Sequence, residues 1–209
     1  AVDGKLDVTG LFAPVKIRRD AHGVVYIEAQ NDEDAWFGLG FCHGQDRAGQ
    51  LEIYLRICRG TLSAVAGADA LPVDRLSRRI GFLRAARAQF AVADQDTQKQ
   101  FWAYCRGLNA ALGTHKRAHE HTILRTAPTP WEPADVQALC VLLCFALAAN
   151  WDIELARHKI LSEDGPEALR ALDPAYPYWL NVSSPPGAVA GTALDSVLKD
   201  VAVFTEFVG

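Results

Sequence analysis

Methionine is absent from all 209 residues, including the first position. The first residue is therefore not a translation start, and we expect either a removed leader or a trimmed sequence. The N-terminal stretch AVDGKLDVTG shows no charged segment followed by an apolar one, which is the pattern of a signal peptide.

Long apolar runs are also missing, since none reaches the roughly 18 residues that a membrane span requires. The longest run, LCVLLCFALAA at 139–149, has a length that fits a buried helix. Neither sign of charge strongly dominates, because the sequence has 21 Lys and Arg and 25 Asp and Glu, which gives a net charge of −4. With no basic block standing out, we expect neither a membrane nor a nucleic acid as partner.

Short catalytic signatures are missing as well: the sequence has no GxSxG, HExxH, P-loop or GxGxxG motif. It also has no Cys-x-x-Cys pair, and an odd number of cysteines does not suit a closed disulfide framework. Each cysteine lies beside apolar residues in a segment with helical periodicity. We therefore expect five buried, unreactive thiols: Cys42, Cys58, Cys105, Cys140 and Cys144.

What is present predicts an α+β chain that is mostly helical, with an N-terminal β-hairpin. Half of the residues are apolar, an ordinary globular composition. Segment 14–30 predicts the hairpin, because strand formers flank the turn sequence DAHG. Asn31 can cap the helix that follows, whose periodicity continues to about Arg59 and stops at Gly60.

Helical periodicity dominates the body at 31–180, with breaks expected at Asp94 and Gly113 and a proline-rich turn before a helix that starts near Pro133. The tail at 181–209 ends in an amphipathic helix. Without repeats or a linker, we expect a single domain over 1–209.

A polar group on the first helix invites a catalytic interpretation. Cys42 and His43 are adjacent, so on a helix they point about 100° apart and cannot form a nucleophile–base pair. His43, Asp46 and Arg47 share one face at i, i+3 and i+4. This spacing suits either a metal site or a buried ion pair, and we favour the ion pair because further zinc ligands do not follow at characteristic spacing.

Several motifs in series resemble the α chain of the penicillin acylase family. The resemblance covers most of 14–180 in the right order, although Val25–Tyr26 replaces the family's Pro-His and Gly44 its usual Ala. The segments that carry it are Arg19–Asp20, Gly23-Val24-Val25-Tyr26-Ile27, Asp34–Ala35, Gly40-Phe41, Gln45-Asp46-Arg47, Gln50-Leu51-Glu52, Arg59-Gly60, Gly67, FWAYCRGLNAAL, PTPWEPADVQAL and NWDIELARHKIL.

This resemblance implies an α subunit that completes an αββα sandwich of the N-terminal-nucleophile (Ntn) hydrolases with a separate β chain. Both chains come from one self-cleaving precursor, and Gly209 fits the end of the released α chain. The nucleophile is the first residue of β, usually Ser, and its own α-amino group acts as base. The catalytic residues would then be absent from this chain, with Gln45-Asp46-Arg47 a buried scaffold against β.

The resemblance also implies roles for the helix near Asn150. Its end would line an apolar acyl pocket, although these residues are alternatively plain core: Phe145, Ala148, Ala149 and Trp151. Glu154 would ligate a structural calcium together with carboxylates from β, or else form a surface pair with Arg157.

The implied function is hydrolysis of an N-acyl amide: a β-lactam side chain, an acyl homoserine lactone or an acylated peptide. The alternatives are a non-catalytic helical domain that binds a ligand in the apolar pocket, and a metal protein centred on His43 and Asp46. We expect a periplasmic or secreted protein, as in the family. Five unpaired cysteines favour the alternative, the cytoplasm.

Overall fold

The computed structural model describes residues 4–114, 118–148 and 150–172. The chain divides into two compact units, Ala1–Leu143 and Cys144–Gly209. The predicted tail at 181–209, with its last helix, lies outside the described residues.

Within the described ranges the chain is mostly helical, as predicted. The first unit contains a short 3-10 helix, Ala68–Ala70. The strands and α-helices of this unit are β1 (Lys16–Arg19), β2 (Val25–Glu28), α1 (Asp32–Arg59), α2 (Ser63–Ala66), α3 (Leu71–Ile80), α4 (Phe82–Val92), α5 (Gln95–Leu112) and α6 (His119–Ile123). Helix α7 (Pro133–Leu147) extends into the second unit, whose further helices are α8 (Trp151–Glu163) and α9 (Gly165–Leu172).

The predicted hairpin is confirmed. β1 and β2 pair antiparallel, with Ile17 opposite Ile27. Asp20 holds the turn, because its Oδ1 accepts hydrogen bonds of 2.9 Å from the backbone N–H groups of His22 and Val24. An aspartate that bonds the backbone two residues ahead is a frequent turn former.

The limits of α1 also match the prediction. Asn31 caps the helix, its side-chain oxygen accepting from the N–H of Asp34 at 2.8 Å. Gly60 ends it in the left-handed conformation at φ 63°, which costs glycine little. A break that the sequence pattern did not reveal lies at Arg47, where φ is −134° and ψ is 23°.

Helices α1 and α5 cross at very short distance. A Cβ atom placed on Gly40 would lie 2.1 Å from the carbonyl oxygen of Tyr104, and one on Gly107 would lie 1.9 Å from that of Phe37. The two backbones therefore touch at glycine, and the larger side chains pack on either side. The buried apolar residues around this crossing are Phe37, Phe41, Leu51, Leu55, Tyr104, Cys105, Leu108, Ala111 and Trp131.

The cysteine prediction is right for three residues and wrong for two. Cys42, Cys58 and Cys105 are buried, and burial raises the pKa of Cys58 and of Cys105 to about 12, so both remain thiols at neutral pH. Cys140 and Cys144 are exposed on α7. This helix is apolar on nearly every side, so its sequence could not indicate which of its faces is covered.

Asp34 ties the segment before the hairpin to the start of α1. Its carboxylate is 1% exposed and accepts from the backbone N–H groups of Phe12 and Ala13, each at 2.9 Å, and from Nδ2 of Asn31 at 2.6 Å. Burial raises the pKa of Asp34, but these donors outweigh it and hold the pKa below its ordinary value.

We expect Asp34→Asn to lower stability at pH 7 by about 1–3 kcal/mol, because it removes a charge that several donors stabilise. A lowered pKa in the folded state contributes stability above the unfolded pKa near 4, and this stability disappears as pH falls through the folded value. The variant should therefore lose part of the acid dependence of unfolding below about pH 4. Urea unfolding of the full-length protein at pH 7 and pH 3 measures both effects.

Asp7→Asn serves as the matched control, since the Asp7 carboxylate is 92% exposed and, among the described residues, pairs with Lys5 at the surface. Its unfolding curve should match that of the unsubstituted protein at both pH values. Equal acid dependence in Asp34→Asn and the unsubstituted protein would contradict the prediction.

Among the described helices, no single one combines the length and hydropathy of a membrane span. The pair α7 and α8 meets that criterion of length and composition only when its two members are counted together, across the break at 148–150.

Candidate functional site

Three of the four predicted acyl-pocket residues, Phe145, Ala148 and Trp151, lie where α7 ends and α8 begins. Helix α7 stops at Leu147, and Asn150 precedes α8 without a capping hydrogen bond from its side chain. The rings of Phe145 and Trp151 stack across this junction, with centroids 5.3 Å apart and planes 30° apart. Both side chains are half-buried, so the pair forms an aromatic surface that a ligand can reach.

Of the two alanines in the prediction, the structure describes only Ala148. Ala148 is exposed beside the aromatic pair, while Ala149 lies outside the described residues. The assignment of these four residues to an acyl pocket stays a prediction, because the walls of such a pocket would include other segments.

Glu154, the predicted calcium ligand, is an exposed residue of α8. Its Oε1 accepts a hydrogen bond from Nη1 of Arg157 at 3.1 Å, which is the i, i+3 pair weighed as the alternative role. In the ranges that the structure describes, no group of three or more His, Cys, Asp or Glu side chains is arranged to hold a metal ion. The role of Glu154 in calcium binding stays a prediction.

The polar face of α1 forms two separate contacts. Nδ1 of His43 lies 2.8 Å from the hydroxyl of Tyr104, and Asp46 accepts from Nη1 of Arg19 at 2.7 Å. Partial burial lowers the pKa of His43, and the nearby Asp46 works in the opposite direction. Arg47 lies at the helix break and does not join either contact in the part of the chain described.

Among the described residues, the burial that we expected for this polar group is not found. Gln45, Asp46 and Arg47 are all exposed, because the described elements pack on the opposite, glycine-bearing side of α1. Burial against a partner chain stays a prediction.

Two buried carboxylates fix the segment that leads into α7. Glu52 accepts from the N–H and hydroxyl groups of Thr129 at 2.9 and 2.7 Å. Asp135 accepts from Nε and Nη2 of Arg59 at 3.0 and 2.7 Å, and this hydrogen bond raises the pKa of Arg59. The proline-rich turn and the first turn of α7 are thus held to α1 by charge-assisted hydrogen bonds.

Comparison with known families gives a match to the penicillin amidase model over residues 14–196. The chain belongs to the penicillin amidase family. The resemblance noted in the sequence is thereby confirmed, and it covers the hairpin, the helical body and the α7–α8 junction of this family member.

The relatives of this member of the penicillin amidase family include proteins named acyl-homoserine lactone acylase and penicillin acylase. An acyl-homoserine lactone acylase QuiP from Pseudomonas syringae pv. tomato is 36% identical over 176 residues, which is 83% of this chain and 21% of the relative. The penicillin acylase 2 proenzyme from Pseudomonas sp. is 34% identical over 151 residues, 72% of this chain and 20% of the relative. The chain thus spans about a fifth of the length of these relatives.

A solved structure shares the fold. A thermostable penicillin G acylase from Alcaligenes faecalis matches with a TM-score of 0.63 and 24% identity, over 86% of this chain and 98% of that one. The predicted mostly helical chain with an N-terminal hairpin is therefore confirmed as a fold of this family.

Proposed function

We propose that this chain is the α-subunit region of an amidohydrolase that cleaves the amide bond of an N-acyl substrate. The observation that carries the proposal is the 36% identity to an acyl-homoserine lactone acylase of which this chain spans 21%. The remaining part of the protein would supply the β subunit, from the same precursor, and complete an αββα sandwich.

The reaction proposed takes place on the β subunit, at an N-terminal Ser. Its hydroxyl oxygen attacks the amide carbonyl while its own α-amino group accepts the hydroxyl proton. When the tetrahedral intermediate collapses, the C–N bond breaks and that proton goes to the leaving amine. Water then attacks the resulting ester, releases the carboxylic acid and restores the serine hydroxyl.

The contribution of this chain is to shape and hold one wall of the acyl site. The Phe145–Trp151 stack offers apolar surface, which recognises an acyl chain by removing it from water. The ion pair of Arg59 and Asp135 fixes the first turn of α7, the helix that also carries Phe145. Among acyl substrates we favour acyl homoserine lactones over β-lactams and acylated peptides, since a relative named for them shares 36% identity over 83% of this chain.

We also propose that Glu154 is a ligand of a structural calcium ion. The exposed Glu154 carboxylate offers one oxygen ligand, and the remaining oxygens of a structural calcium would come from the β subunit. Metal analysis of the dialysed full-length protein, with and without Glu154→Gln, tests this role.

For the compartment we propose the periplasm or the exterior, with the cytoplasm as alternative, and cell fractionation followed by an activity assay decides between them.

The central experiment expresses the full-length gene and identifies the purified chains by intact mass and N-terminal sequencing. We expect a second, larger chain that begins with Ser, and hydrolysis of N-octanoyl homoserine lactone with release of octanoate. A single unprocessed chain that binds the substrate without releasing octanoate would overturn the proposal in favour of the non-catalytic binding domain.

The substitution Phe145→Ala tests whether the Phe145 ring forms part of the wall of the acyl site. We expect kcat/KM for the octanoyl substrate to fall about tenfold or more, because the loss of a large apolar contact costs at least about 1.4 kcal/mol. The matched control is Leu147→Ala, a side chain 81% exposed two residues further along α7, which should leave kcat/KM within about twofold. Equal losses in both variants would show that Phe145 is not part of the acyl site.

A further inference from the structure

A surface cavity of about 340 Å³ lies in the first unit where α3 ends and α4 begins. It is unusually rich in arginine, since Arg78, Arg84 and Arg87 line it together with Ser77. The amide hydrolysis proposed above makes no use of this place.

The three arginines carry positive charge that the described part of the chain does not pair with a carboxylate. In the described residues no carboxylate lies within 4.0 Å of the guanidinium group of Arg78, Arg84 or Arg87, whereas Arg59 at the rim is paired with Asp135. Nε of Arg78 donates to the carbonyl oxygen of Gly60 at 2.9 Å. That contact orients the side chain and does not cancel its charge.

The junction of the two helices adds to this arrangement. Gly81 ends α3 and precedes α4, and no side chain caps α4, so its first-turn N–H groups keep hydrogen-bonding capacity. The dipole of α3, which ends at the same residue, partly offsets that of α4. A Cβ atom on Gly81 would lie 2.6 Å from Nη2 of Arg84, which places this guanidinium over the junction.

The buried hydroxyl of Ser77 indicates a bound ligand independently of the arginines. Ser77 is 1% exposed and lines the cavity. Its hydroxyl oxygen has no hydrogen-bond partner in the described part of the chain. A buried hydroxyl without a partner is destabilising, so such groups in native proteins usually bond to a ligand or an ordered water.

We propose that this cavity binds a phosphate-sized oxyanion. The Ser77 hydroxyl and the guanidinium groups of Arg78, Arg84 and Arg87 would donate hydrogen bonds to its oxygens. Arginine suits this role because its planar group presents paired N–H donors that match the geometry of phosphate. The ligand chemistry is that of inorganic phosphate, sulfate or a small phosphate ester.

The test follows the unfolding temperature of the full-length protein as inorganic phosphate is titrated at constant ionic strength, with chloride as the balancing anion. Phosphate should raise the midpoint in a saturable way, because a ligand that binds only the folded state stabilises it. We expect Ser77→Ala and the double variant Arg84→Gln/Arg87→Gln each to weaken the apparent phosphate affinity tenfold or more. These side-chain changes are small or lie at the surface, so the variants should fold.

Arg75→Gln is the matched control, since Arg75 is an exposed arginine of the same helix α3 that does not line the cavity. Its phosphate affinity should stay within twofold of the unsubstituted protein. Three outcomes would overturn the proposal: no phosphate effect on the unsubstituted protein beyond that of chloride, an equal loss of phosphate affinity in Arg75→Gln, or an unchanged phosphate affinity in the Arg84/Arg87 variant.

Discussion

Gly107→Ala should prevent stable folding or lower the free energy of unfolding by more than about 4 kcal/mol, an effect reserved for a few severe mechanisms. The added Cβ would lie 1.9 Å from the carbonyl oxygen of Phe37 and 2.7 Å from its carbonyl carbon. These atoms belong to the backbone of α1, so no side-chain rotation relieves the clash. The helices would have to separate and open the core that they share.

Gly113→Ala provides the control on the same helix. Gly113 follows α5, and the nearest atom to its added Cβ is the carbonyl oxygen of Asn109 at 3.4 Å, an ordinary contact. Its backbone conformation, φ −78°, is one that alanine adopts easily. Thermal unfolding of the full-length protein should show almost no change for this variant. A similar loss in both variants would contradict the close helix crossing as the cause.

Asp135→Ala is expected to destabilise the protein by about 3 kcal/mol, because removal of one partner leaves a partly buried charge without compensation. Asp135 is 2% exposed, and it accepts two hydrogen bonds from Arg59 and a third, of 2.8 Å, from the N–H of Glu132. The variant would therefore free both the guanidinium and the first turn of α7.

Asp96→Ala is the comparison, since the Asp96 carboxylate is 83% exposed and its pair with Lys99 spans 3.1 Å at the surface. Solvent-exposed pairs of this kind contribute little, so its urea unfolding midpoint should hardly move. If Asp135→Ala also left the midpoint unchanged, the anchoring of α7 to α1 would not depend on this ion pair. A lower kcat/KM in Asp135→Ala at temperatures where it is folded would link the anchor to the proposed acyl site.

The hairpin and the limits of the first helix were predictable because their signals are local. The turn DAHG, the cap Asn31 and the stop Gly60 act through backbone conformations and hydrogen bonds within a few residues. The break at Arg47 has no comparable local signature, and the helical pattern of apolar residues continued through it.

The candidate sites were predictable only in part. The pattern that marked Phe145 and Trp151 is a resemblance to a family, and the stacking of the two rings across a helix junction required coordinates. The arginine cavity was missed, although the segment RLSRRIGFLRAAR holds five arginines in 13 residues. Their significance comes from the turn at Gly81, which brings Arg78 and Arg84 to the same cavity as a buried serine.

The sequence by itself determined the family, the helical class and several positions where helices begin or end, since each depends on short-range preferences or on motifs in series. Tertiary structure alone decided which faces are covered. Gly40 and Gly107 lie 67 positions apart, and only the crossing of their helices explains why neither tolerates a side chain. Cys140 and Cys58 both follow an apolar residue on a helix, yet one is exposed and the other buried. Burial is set by contacts between distant segments, and periodicity on a uniformly apolar helix does not encode them.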